Sequence, residues 1–141
     1  MFKRILVPID MSSPEAGQRS CPRAALLAET WEAEIQLLTV LPGYKNPMVA
    51  SFFPESAISD MTDRVSKELA DLATKYFKST PAIKVRSGKR AQEILDEANS
   101  WNADLIVFGC RPKDTIGGEL MLGSCGTRVS EAAPCSVLVA R

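Results

Sequence analysis

Short apolar runs recur along this 141-residue chain with a helical stretch between each and the next, and this alternation restricts the fold more than any single residue does. Phe2 to Ile9, Glu34 to Val40, Ala82 to Arg86, Ala103 to Phe108 and Cys135 to Ala140 are the runs. Continuous β-branched and apolar segments of this length read as strands buried on both faces of a sheet. Ser12-Ser13-Pro14-Glu15 supplies a helix start, with a serine cap, proline in the first turn and glutamate placed for a capping box. That helix is expected to reach about Thr30, with Pro22 kinking or loosening it. Leu41-Pro42-Gly43 opens a loop to about Ser56, and Ala57 to Phe77 then carries Ile58, Met61, Val65, Leu69, Leu72 and Tyr76 at helical spacing. Ala91 to Trp101 and Ser124 to Ala132 are the remaining helices, with a loop from Gly109 through Gly118 between them. The order βαβαβαβαβ predicts one α/β domain over residues 1–141: a five-stranded parallel sheet, right-handed crossovers and helices on both faces.

Charge and residue usage narrow the chemistry. Lysine and arginine total 17, as do aspartate and glutamate, so no net charge gathers nucleic acid or anionic lipid over a broad surface. The basic start Met1 to Arg4 leads into an apolar run too short for a signal peptide, and no stretch approaches the roughly 20 residues of a membrane span. A cytoplasmic protein without nucleic-acid partners or membrane insertion is expected. Cys21, Cys110, Cys125 and Cys135 form no C-x-x-C pair, and the chain has no histidine. Buried, reduced thiols are therefore expected rather than a metal site, and imidazole-dependent triads are excluded. No catalytic residue is identified, and the chain reads as a non-enzyme.

In an open parallel sheet, ligands bind beyond the carboxyl ends of the strands. Asp10, Val40, Gly109 to Gly118 and Gly123-Ser124 fall there. Gly123-Ser124 precedes the last helix, where backbone N–H groups favour a phosphate, although alone the dipeptide reads first as a helix cap. Asp10 suits either a ribose hydroxyl or a turn cap. Gly109 suits close backbone approach by a ligand, or a plain strand-end turn. Neither G-x-G-x-x-G nor G-x-x-x-x-G-K-[ST] occurs, which argues against a dinucleotide dehydrogenase and a P-loop NTPase. A response-regulator receiver needs an aspartate after the third strand, where this chain has Arg86-Ser87-Gly88.

Ile5 to Asp10, Gly88 with Ile94 to Ala98, Ala103 to Gly109, Leu122-Gly123-Ser124 and Ala133 to Arg141 together resemble the universal stress protein family over essentially the whole chain. The resemblance implies an adenine nucleotide alpha hydrolase-like, Rossmann-like sheet of order 3-2-1-4-5, and a stress-response regulatory protein that binds ATP or AMP, with or without Mg2+. It assigns Pro8, Ile9 and Asp10 to the ribose and base, Val40 to adenine, and Phe108 and Gly109 to the floor. Gly123, Ser124 and Cys125 would hold phosphates. The family's phosphate loop has a second glycine where this chain has Pro112, and the segment up to Gly123 is one residue longer. Proline removes an N–H donor, which Gly117-Gly118 or the guanidinium of Arg111 would have to replace. The resemblance further implies a homodimer through the last strand and a regulatory protein partner. The alternative is a dimeric interaction module that has lost its nucleotide.

Overall fold

A computed structural model describes residues 1–43, 47–110, 115–116, 119–120 and 122–141. The elements are β1 (Arg4–Pro8), α1 (Pro14–Trp31), β2 (Glu34–Leu41), α2 (Pro47–Ala50), α3 (Glu55–Tyr76), β3 (Ala82–Ser87), α4 (Arg90–Ser100), β4 (Leu105–Gly109), β5 (Thr115–Ile116), β6 (Glu119–Leu120), α5 (Ser124–Ala132) and β7 (Ser136–Ala140). The main sheet has the order β3-β2-β1-β4-β7 and every pairing in it is parallel. With β7 as the fifth long strand, this is the expected 3-2-1-4-5 arrangement. Two features were not expected: the one-turn helix α2 inside the first loop, and the short antiparallel pair β5 and β6 inside the second.

Strand alternation divides the core between the two faces. Ile5, Val7, Leu37 and Val107 pack with Cys21, Ala24, Val65 and Leu69 beneath α1 and α3. Leu6, Leu38 and Ile106 pack with Ile94, Ala98 and Val129 beneath α4 and α5. Both faces of the central strands are covered, which is why their sequences lack a polar alternation. On α3, Val65, Leu69 and Ala73 are buried at successive turns, while Asp63, Arg64, Lys67, Glu68, Asp71 and Lys75 are exposed. Each fully buried leucine or isoleucine contributes about 1.5–3 kcal/mol.

Pro22 does not interrupt α1, which is one assigned helix from Pro14 to Trp31. Pro22 and Gln18, four residues earlier, both lie exposed, so the carbonyl deprived of its N–H partner faces water. The capping box is also absent: Ser13 is the N-cap, but its hydroxyl donates to Glu15 Oε2 at 3.3 Å rather than accepting from the helix. Of the thiols, Cys21 and Cys110 are buried as expected, whereas Cys125 and Cys135 are only half-buried. Burial pushes the Cys21 thiol up to about 12, which keeps it protonated and inert.

A polar cluster fixes α4 on the sheet. Arg86 at the end of β3 donates through Nε to Glu93 Oε2 and through Nη1 to Glu97 Oε2, both at 2.7 Å. Gln36 of β2 donates to Glu97 Oε1, also at 2.7 Å. The Glu97 side chain is only 6% exposed, so its charge depends on these donors. The cluster sets where the first turn of α4 falls.

Candidate functional site

The carboxyl ends of β1, β2 and β4 open into one crevice, closed on its far side by the start of α5. Pro8, Ile9 and Asp10 line it from β1, Leu38 and Val40 from β2, and Phe108, Gly109 and Cys110 from β4. Cys125 and Gly126 line it from α5, with Leu122 and the N-cap Gly123 preceding them. Its cavity volume is about 40 Å3. The crevice is thus a narrow slot with largely apolar walls.

Local hydrogen bonding determines how β1 delivers Asp10. Ile9 N–H donates to Leu38 carbonyl at 2.7 Å, and the buried Thr39 hydroxyl donates to Ile9 carbonyl at 2.9 Å. These bonds hold the strand exit to β2. The chain then turns: Ser12 donates to Asp10 Oδ1 from its N–H at 3.0 Å and from its hydroxyl at 2.6 Å. Arg90 Nη1 donates to Asp10 Oδ2 at 2.8 Å. Burial raises the Asp10 pKa, but the Ser12 hydrogen bonds and the Arg90 guanidinium outweigh it, so the carboxyl lies below the ordinary aspartate value. Asp10 is an ionised acceptor at neutral pH.

Most residues assigned from the sequence meet in this slot: Pro8, Ile9, Asp10, Val40, Phe108, Gly109, Gly123 and Cys125. Ser124 is the first residue of α5 and is exposed, outside the slot's lining. Gly123 is the N-cap, and no side-chain capping bond is made there. Arg111, Pro112, Gly117 and Gly118 lie outside the described residues. Gly109 has a packing role that the sequence did not reveal, since a Cβ there would collide with the Ala16 carbonyl. Sequence reasoning also missed Arg90 and Ile94, which line the slot from α4. The sequence placed β3's end at Arg86 and the next helix at Ala91, leaving Arg90 in the connection. The available signal was its position just after Gly88, at the same carboxyl edge.

An open parallel sheet with a slot at its carboxyl edge, bounded by a strand-end aspartate and a helix start, defines a doubly wound α/β protein. The universal stress protein family model matches residues 1–141, and the chain belongs to that family. It is 30% identical to universal stress protein YxiE of Bacillus subtilis, with all of both chains covered. The fold is also similar to a solved universal stress protein in complex with cAMP, at a TM-score of 0.70 and 21% identity, covering 99% of this chain and 97% of the other. A universal stress protein from Archaeoglobus fulgidus in complex with dAMP has a TM-score of 0.68 and 19% identity, covering 99% of this chain and 98% of the other. Among the described residues, no helix is long and apolar enough to cross a membrane.

Proposed function

We propose that this universal stress protein is a regulatory binding protein for an adenine nucleotide, held in the slot at the carboxyl ends of β1, β2 and β4. The observation that carries this reading is the convergence of three chemically different surfaces in one place. Val40, Leu38 and Phe108 offer apolar walls for a base, Asp10 is an ionised acceptor for sugar hydroxyls, and Gly123 caps the start of α5, where the first-turn N–H groups favour phosphate. Solved relatives of the same fold are bound to cAMP and dAMP, which supports the nucleotide class. ATP and AMP both fit the reading, with Mg2+ arriving on the phosphates.

A binding role suits the slot better than catalysis. Asp10 is the sole carboxylate among its described lining residues, and a carboxylate with a lowered pKa is a weak general base near pH 7. Calorimetry with ATP and with AMP, each with and without Mg2+, tests the proposal. Nucleotide at about 100 times its dissociation constant should stabilise the fold by about 2.7 kcal/mol, visible as a thermal shift. Gly123→Val should weaken binding without unfolding the protein, because its φ of −59° is open to any L-residue. The absence of both heat and shift would sink the nucleotide reading. It would favour instead the interaction module without nucleotide, a reading that draws on Arg90 already engaging Asp10.

A further inference from the structure

Arg90 is the first residue of α4 and follows directly on the turn at Gly88, whose N–H donates to Leu41 carbonyl at 3.0 Å. The Arg86, Glu93, Glu97 and Gln36 cluster anchors the same helix to the sheet. Arg90 is therefore held at the slot by a fixed backbone. Its side chain lines the slot and bonds Asp10 at 2.8 Å, with 39% of Arg90 and 12% of Asp10 exposed.

This placement has a chemical consequence for any ligand that uses Asp10. A hydroxyl accepted by Asp10 lands within one hydrogen bond of the guanidinium. Uncharged hydroxyls that draw Asp10 away from Arg90 leave a partly buried cation without its counter-charge, which is unfavourable. A ligand that carries an anionic oxygen beside the hydroxyl supplies a replacement, and a guanidinium fork matches a phosphate in two-point geometry. With base and sugar seated as proposed above, the groups next to Asp10 are the 2′ and 3′ oxygens of the ribose. The geometry points to Arg90 as a selectivity residue, making the slot prefer an adenine nucleotide whose ribose is phosphorylated on its 2′ or 3′ oxygen. This inference rests on the nucleotide reading and concerns which nucleotide the same slot takes.

Adenosine 2′,5′-bisphosphate and adenosine 3′,5′-bisphosphate keep the 5′-phosphate that the start of α5 would hold and add one phosphate on the ribose, so their affinities relative to 5′-AMP isolate the effect of Arg90. Calorimetry on the unmodified protein should show one of the bisphosphates binding about tenfold tighter than 5′-AMP, the worth of one hydrogen bond to a charged group. In Arg90→Gln the preference should collapse, read as the ratio of bisphosphate to 5′-AMP affinity within the same variant. Arg90→Lys, which keeps the charge but not the planar fork, should retain only part of it, and serves equally if the glutamine variant is too unstable to assay. Equal affinities, or a preference for 5′-AMP, in the unmodified protein would overturn the inference alone. So would a preference that survives in Arg90→Gln. If ATP, 5′-AMP and both bisphosphates all fail to bind, the nucleotide reading fails together with it.

Discussion

Gly109 lies directly against Ala16: a Cβ built on Gly109 would stand 2.7 Å from the Ala16 carbonyl carbon and collide with its oxygen. The end of β4 and the first turn of α1 thus meet backbone to backbone, and no side chain fits between them. Gly126 is also tight, but there the nearest atom is Leu122 Cδ1 at 2.6 Å, the tip of a flexible side chain.

The two glycines should consequently respond differently to alanine. Gly109→Ala should destabilise by about 3 kcal/mol, the upper range for overpacking, because the opposing atoms belong to a helix backbone. Gly126→Ala should cost about 1 kcal/mol, as Leu122 can rotate aside. Urea unfolding of both variants measures the difference. Equal losses would show that α1 yields as readily as a leucine side chain.

The buried Glu97 makes a second case. Arg86→Ala leaves that carboxylate with Gln36 as its side-chain donor among the described residues, and loss of one partner from a buried ion pair costs about 3–5 kcal/mol. Replacing Gln36, Arg86 and Glu97 together by leucine, methionine and leucine should cost less, since the buried Glu97 charge is gone and the carboxylate left without Arg86, Glu93, is only half-buried and reaches water. Denaturation midpoints at unchanged m-value would report stability directly. A triple variant no better than Arg86→Ala would contradict the charge argument.

Asp10 should leave a signature in the pH dependence of stability. Its folded-state pKa lies below the 3.8 of an unperturbed aspartate, so the ionised carboxylate adds stability above about that value, and the gain is lost as pH falls through the lower folded value. The stability difference between the unmodified protein and Asp10→Asn should be present at neutral pH and shrink below pH 3.8. Taking a difference cancels the titration of the other carboxylates. A gap that stays constant down to pH 2 would mean that ionised Asp10 contributes nothing through Ser12 and Arg90.

What the sequence disclosed follows from how local each signal is. Residues such as Ile5 to Val7 and Leu105 to Val107 are apolar on both faces, so buried strands and their parallel order were legible without knowledge of any contact. The slot was legible where it sits at strand ends, at Asp10, Val40 and Gly109. Arg90 was not, because its importance comes from Asp10, a residue 80 positions away. Gly109's packing against Ala16 was hidden for the same reason. What Pro22 costs α1 depends on whether the orphaned carbonyl of Gln18 faces protein or water, which residue identity alone does not specify.

The open edge of β7 gives the last prediction. Ala140 carbonyl accepts from Cys110 N–H at 3.0 Å, so Ala140 directs its backbone groups toward β4. Backbone direction alternates along a strand, and Val139 therefore turns its N–H and carbonyl outward, away from β4. Among the described residues, no strand of the main sheet lies on that side. Ser136 to Ala140 carries no charge or proline to discourage a further strand, and pairing of β7 with the same strand of a second copy would be self-complementary across a two-fold axis. Val139→Pro would remove an outward donor while sparing the bonds to β4, since the lost N–H does not belong to that ladder. The unmodified protein is expected to be a dimer by light scattering at high micromolar concentration, and Val139→Pro to shift toward monomer with its fold retained by circular dichroism. A monomeric unmodified protein, or a dimer indifferent to the proline, would place the association elsewhere.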